Sequence, residues 1–210
     1  MCVLYHQPSA TLSATLTLAS NDGPLSGQTV QFNVDGSLVG TAVTDGDGVA
    51  SLSYNSSALA VGDHDLTASY AGSCSYAAAI SNAGSLGVTY NFVGFQQPIN
   101  ADGSSIFKGA AITVKIKITD YYGAAVPDAS GHVFFAFGTP AIVGTDAEPI
   151  GGSSPDSGNT MRYDSVADQY IFNWDVKSLV NGTYTVLVDL NEGSACSNGH
   201  TVTLSLQRKK

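Results

Sequence analysis

Charge is the scarcest property of this sequence: charged residues make up 12% of its 210 positions, against roughly 25% in ordinary globular domains. Cations are scarcer still, with 8 Lys and Arg facing 17 Asp and Glu, and none of the 8 precedes Lys108. Residues 1–88 hold six Asp and no Lys or Arg. Such a surface cannot neutralise phosphates, which weighs against nucleic acid and anionic membranes as partners. Glu occurs only at positions 148 and 192, so the acids are almost all Asp. Glu favours helices whereas Asp and the 23 Gly favour turns, and that balance excludes a helical bundle. No apolar run approaches the roughly 18 residues of a membrane-spanning helix, so no membrane insertion is expected. Cysteine is limited to Cys2, Cys74 and Cys196. An odd count at wide spacing makes neither a zinc motif nor a disulfide framework, and free thiols are expected. The first ten residues lack the basic and apolar segments of a signal peptide, and Cys2 lacks the segment that precedes a lipoprotein cysteine. Arg208, Lys209 and Lys210 form a basic tail that reads as a frayed end.

What is present is enough to fold. Hydrophobic residues reach 43%, which excludes a disordered chain. Their spacing has period two, the signature of half-buried strands. Leu12, Ala14, Leu16 and Leu18 alternate with Ser and Thr. Val30, Phe32 and Val34 follow and end at the turn pair Asp35-Gly36. Residues 38–43 run to a second turn, Asp45-Gly46-Asp47-Gly48. Ala50, Leu52 and Tyr54, then Leu66, Ala68 and Tyr70, then Leu86, Val88 and Tyr90 continue the pattern. The second half repeats it with Ile112, Val114, Ile116 and Ile118, with Val133, Phe135 and Phe137, and with Tyr170, Phe172 and Trp174. Tyr184, Val186, Val188 and Leu190 precede a closing run of Val202, Leu204 and Leu206. Short strands at regular spacing with Asp/Gly turns predict an all-β fold of two tandem immunoglobulin-like β-sandwiches. The boundary is expected near residues 87–91, giving domains 1–88 and 89–210 with almost no linker. Only residues 138–160 break the rhythm. A loop of that length is uncommon in a compact domain and marks a place to look for function.

Two resemblances attach to these halves. Residues 9–89 resemble bacterial Ig-like repeat domains, and the stretch 27–76 carries the likeness through Val30-Gln31-Phe32-Asn33-Val34-Asp35-Gly36, Gly40-Thr41-Ala42, Asp45 through Leu52 and the closing run from Gly62 to Gly72 with Tyr76. Residues 90–207 resemble the PxKF domain of bacterial extracellular proteins. Tyr90-Asn91-Phe92-Val93-Gly94-Phe95 with Pro98-Ile99, Lys108 through Ile116, and Met161-Arg162-Tyr163-Asp164 with Gln169-Tyr170 and Asn173-Trp174 carry that likeness. Thr113 and Ile116 replace the proline and phenylalanine that name the family, and its usual cysteines are mostly missing. The resemblances imply an extracellular or cell-surface location and a structural or binding role, and they assign no catalytic residue.

Reactive residues are sparse. Asp45 and Asp47 are the candidate calcium ligands, but a full loop of that kind ends in a bidentate Glu that is missing, and a hairpin turn explains the same residues. No other cofactor is expected. Asp63-His64-Asp65 alternates across a strand, which separates the imidazole from its flanking carboxylates. The four histidines show no metal-binding spacing, and no nucleophile elbow is present. Asp189, Glu192, Cys196 and His200 cluster around one expected hairpin. Glu192 and His200 of that cluster, together with Glu148 in the 138–160 loop, are the candidate catalytic residues, with turn chemistry as the competing explanation for the cluster. Tyr170, Phe172 and Trp174 fall on one strand face, where core packing explains them better than sugar stacking. The expectation is a non-catalytic surface module, a spacer or ligand-binding stalk. Its expected partners are other domains of a larger surface protein and a glycan or host-cell ligand. The alternative is a small secreted hydrolase of glycans or esters, with its site in the long loop or at the domain junction.

Overall fold

A computed structural model describes residues 1–138, 158–196 and 199–208. Contacts divide the chain into two compact units, Met1–Thr89 and Tyr90–Lys210. Each unit is a sandwich of strands, and the described residues contain no helix.

The first unit comprises β1 (Cys2–Leu4), β2 (Ala10–Thr15), β3 (Thr29–Val34), β4 (Ser37–Val43), β5 (Val49–Tyr54), β6 (Gly62–Tyr70), β7 (Ala79–Ile80) and β8 (Gly84–Thr89). One sheet has the order β1-β8-β6-β3-β4, with β7 beside β6, and the other pairs β2 with β5. Alternation places Ala10 and Leu12 of β2 and Ala50 of β5 against Val30, Phe32 and Val34 of β3 and Leu86 and Val88 of β8. That apolar layer between two sheets is the core. β3 and β4 meet through Asp35-Gly36, whose φ angles of 49° and 75° make a two-residue turn of the type that suits strand twist. Val39 and Ala42 of β4 pack on this core, whereas Leu38 and Val43 stand opposite Asn33 and Thr29 on the other face and remain exposed.

The second unit comprises β9 (Asn91–Phe95), β10 (Ile106–Phe107), β11 (Ala111–Thr119), β12 (His132–Phe137), β13 (Arg162–Asp164), β14 (Gln169–Asp175), β15 (Gly182–Asp189) and β16 (His200–Leu206). Its sheets have the orders β10-β16-β15-β12 and β13-β14-β11-β9. Trp174 of β14 is fully buried and stacks on Phe135 of β12 with ring centroids 3.8 Å apart and planes at 8°. Tyr184 of β15 meets the same indole edge-on at 5.5 Å. These contacts join the two sheets and place the aromatic triplet of β14 in the core, with Tyr170 and Phe172 also buried.

The units share a topological device. In each, a strand near the start runs parallel to the last strand: β1 beside β8, and β10 beside β16. This arrangement, with the intervening strands antiparallel, gives both units an immunoglobulin-like order.

Candidate functional site

The sequence candidates converge where β15 hands over to β16. β15 ends at Asp189, whose Oδ1 accepts the Asn191 N–H at 2.9 Å and starts a turn. Asn191 and Gly193 both take positive φ there, 55° and 75°. The turn carries Glu192 inward until it is 3% exposed. Its Oε1 accepts the Tyr90 N–H at 2.8 Å, and its Oε2 lies 3.1 Å from Nε2 of His200. The His200 ring lies flat on Phe92 of β9, centroids 3.7 Å apart and planes at 7°.

Glu192 and His200 are thus brought together. Glu148 lies outside the described residues, with most of the 138–160 segment. A buried carboxylate persists only when its oxygens find donors, and Glu192 spends one on the main chain and the other on an imidazole. A general acid or base must instead reach a proton of bound substrate. The arrangement pins Tyr90, at the start of the second unit, to the turn before its last strand. Asp189 is absorbed by its turn. Cys196 is disulfide-bonded and so offers no thiolate for nucleophilic attack. Cys2 is disulfide-bonded as well, whereas Cys74 is free and exposed. The expectation of three free thiols is corrected for two of them: an odd count requires one thiol left over, not three.

Ser130 and His132 form a pair that sequence reasoning missed. Ser130 Oγ lies 3.4 Å from His132 Nε2 where β12 begins. Asp189 stands opposite His132 in the ladder, but its carboxylate bonds Asn191. Among the described residues no carboxylate hydrogen-bonds this imidazole, so the orienting third member of a hydrolytic triad is not assembled.

The calcium candidates form a closed turn. Oδ1 of Asp45 accepts the N–H groups of Asp47 and Val49 at 3.0 and 2.9 Å. Gly48 follows with φ of 74°, and a Cβ there would stand 2.6 Å from the Leu16 carbonyl oxygen. Backbone approach and turn geometry account for these residues. Among the described residues no group of three or more His, Cys, Asp or Glu is placed to hold a metal ion.

His64 has partners that sequence did not disclose. Its Nδ1 lies 2.7 Å from Oδ2 of Asp35 and its Nε2 lies 2.9 Å from the Ala60 carbonyl oxygen. The hydrogen bond from His64, offset in part by desolvation, lowers the Asp35 pKa below its ordinary 3.8. Desolvation works against the charged His64, yet the Ala60 carbonyl and the Asp35 carboxylate outweigh it and raise its pKa above 6.5. The two residues are 29 apart and meet only through the pairing of β3 with β6.

The described residues also line concavities away from these side chains. One of about 220 Å³ in the first unit lies between Leu16 and Thr17 on one side and Tyr70 and Ile80 on the other. One of about 560 Å³ in the second unit is bordered by Lys108, Val180, Asn181 and Arg208. Arg208 is no frayed residue: its guanidinium donates to the Lys177 and Leu179 carbonyls. Its main chain also exchanges two hydrogen bonds with the Asn181 side chain, at 2.8 and 2.9 Å. Tyr121 and Tyr122 are exposed, but their rings stand at 88° and share no flat face for a sugar.

Similar solved structures cover nearly the whole chain at low identity. The Yersinia pseudotuberculosis adhesin InvE is 16% identical, with 98% of this chain and 56% of that one covered and a TM-score of 0.37. The D0-D1 domain of Intimin is 14% identical, with coverages of 97% and 93% and a TM-score of 0.35. The fibronectin(III)-like modules of Clostridium thermocellum CbhA are 15% identical, with coverages of 99% and 89% and a TM-score of 0.31. No curated protein matches the sequence. The family comparison agrees with the resemblance read over residues 9–89: residues 4–89 match the bacterial Ig-like domain, group 3.

Proposed function

We propose that this chain is a non-catalytic extracellular module, a spacer or ligand-binding stalk of a larger bacterial surface protein. The match of residues 4–89 to a bacterial Ig-like domain carries this reading. The second unit fits the same role as a PxKF-type domain. Most residues of that resemblance fall on β9, β11, β13 and β14, which together make one sheet. The partners in this reading are neighbouring domains and a glycan or cell-surface ligand, in a secreted or surface-bound setting.

The strand order suits a load-bearing part. β1 pairs with β8 in parallel through Cys2↔Gly87, Val3↔Val88 and Leu4↔Thr89. Tension applied at the two ends of this unit loads those hydrogen bonds in shear, so they resist together. In an antiparallel pair pulled open at one end they would break one at a time. β10 and β16 repeat the arrangement over Ile106↔Ser205 and Phe107↔Leu206.

Single-molecule pulling under reducing conditions tests the structural part of this reading. Two discrete unfolding steps are expected, with contour gains on the order of 300 and 400 Å at roughly 3.6 Å per residue. A smooth extension with no discrete step would overturn it.

A further inference from the structure

The Asp35–His64 contact has a feature that a simple ion pair lacks. Both ring nitrogens of His64 face groups that only accept hydrogen bonds. Nδ1 faces a carboxylate at 2.7 Å and Nε2 a main-chain carbonyl at 2.9 Å. A neutral imidazole carries one N–H, so it leaves one of those contacts as a lone pair against a lone pair. Only the imidazolium satisfies both. The His64 side chain is 13% exposed and that of Asp35 52%, so water reaches the carboxylate more readily than the ring.

Each contact holds a different piece of chain. Asp35 sits at the tip of the β3–β4 hairpin, its N–H donating to the Asp65 carbonyl at 2.9 Å and its Oδ1 accepting the Asp65 N–H at 3.0 Å. The side chain thereby extends the β3–β6 ladder one step beyond Val34↔Leu66. Ala60 belongs to the β5–β6 connection, whose Leu59 and Val61 cover the apolar core. His64 lies between the two.

We propose that His64 is a proton-operated latch, which when protonated clamps the β3–β4 hairpin tip to the β5–β6 connection and when neutral releases one of them. The surrounding charge favours the protonated state. Asp35 faces the ring from the hairpin tip and Asp63 adds its field from β6, where Asp65 is the other acid. β4, the connection at 55–61 and β8 bring no titratable side chain, and the unit has no Lys or Arg. The latch is a property of the fold separate from any ligand site, and it makes the first unit tighten under mild acid.

The sign follows from the two shifts. His64 is raised in the folded state, so its contribution is complete below about 6.5 and disappears as pH rises through the folded value. Asp35 is lowered, so its contribution is complete above about 3.8 and is lost as pH falls through its folded value. The latch is closed between these limits.

Nitrogen-15 NMR of the full-length chain tests it. The expected result at pH 6 is a His64 ring protonated on both nitrogens, with a titration midpoint above 6.5. The protection factor of the Asp65 amide should fall in step as pH rises toward 9, by about tenfold for each unit by which His64 is raised. Asp35→Asn should lower the His64 midpoint and flatten the pH dependence of protection, while His6→Ala should leave both as in the parent. A neutral single-tautomer ring at pH 6 in the parent would overturn the proposal whether or not the Asp35→Asn protein folds. An unchanged midpoint in a folded Asp35→Asn protein would overturn it too.

Discussion

The N–H of Tyr90 donates to Oε1 of Glu192 at 2.8 Å, across 102 residues of sequence. Tyr90 opens the second unit and Glu192 stands just before its last strand, so one carboxylate ties the beginning of the unit to its end. The second oxygen holds His200, which roofs Phe92.

Glu192→Ala should therefore weaken the second unit. Removing the acceptor from a buried donor costs about 1–3 kcal/mol, and two donors lose theirs here. Glu192→Gln keeps an amide oxygen for the Tyr90 N–H and should cost less. Urea unfolding followed by the fluorescence of Trp174, the only tryptophan and fully buried in this unit, measures both.

Tyr170 should behave as a second pin. Its hydroxyl donates to the Val126 carbonyl at 2.8 Å and accepts the Ala129 N–H at 2.8 Å, which fastens the β11–β12 connection to β14. Tyr170→Phe should cost about 1–3 kcal/mol by leaving both groups without that partner. Burial pushes the phenol up to about 12 from its ordinary 10. The unfolded chain thus releases this proton first, and stability should drop as pH climbs from about 10 toward 12. Ultraviolet titration of tyrosinate, compared between the parent and the Phe variant, reads the late-ionising group.

Asp45 should matter for the turn and not for calcium. Asp45→Ala removes the acceptor of two backbone N–H groups and should lower the stability of the first unit by about 1 kcal/mol. Neither added calcium nor a chelator should move its Tm. A rise in Tm with calcium that disappears in the Ala variant would instead assign the loop to the ion.

The strands were legible because burial on one face writes itself as alternation. Ile112, Val114, Ile116 and Ile118 are all at most 2% exposed, while Lys115 and Lys117 between them are only half-buried. The short strands at Cys2–Leu4, Ala79–Ile80 and Ile106–Phe107 escaped, since two or three residues display no period. Tyr90 continues the alternation of Leu86 and Val88, but the strand stops at Thr89. Of the site, the grouping of Glu192 with His200 was visible as a local cluster around one turn. Its use was hidden, because the Tyr90 N–H arrives from the far end of the unit. The Asp35–His64 pair was invisible for a similar reason: strand alternation tells which face His64 occupies, but only the β3–β6 register says what stands there. Arg208 looked like part of a basic tail because its carbonyl partners leave no mark in composition.

The most direct test of the central claim is turnover. Purified protein is offered a panel of chromogenic glycosides and esters, alongside the Glu148→Ala, Glu192→Gln and His200→Ala variants. A non-catalytic module predicts no hydrolysis above the buffer blank in any of the four proteins. Hydrolysis by the parent that vanishes in one folded variant would contradict it.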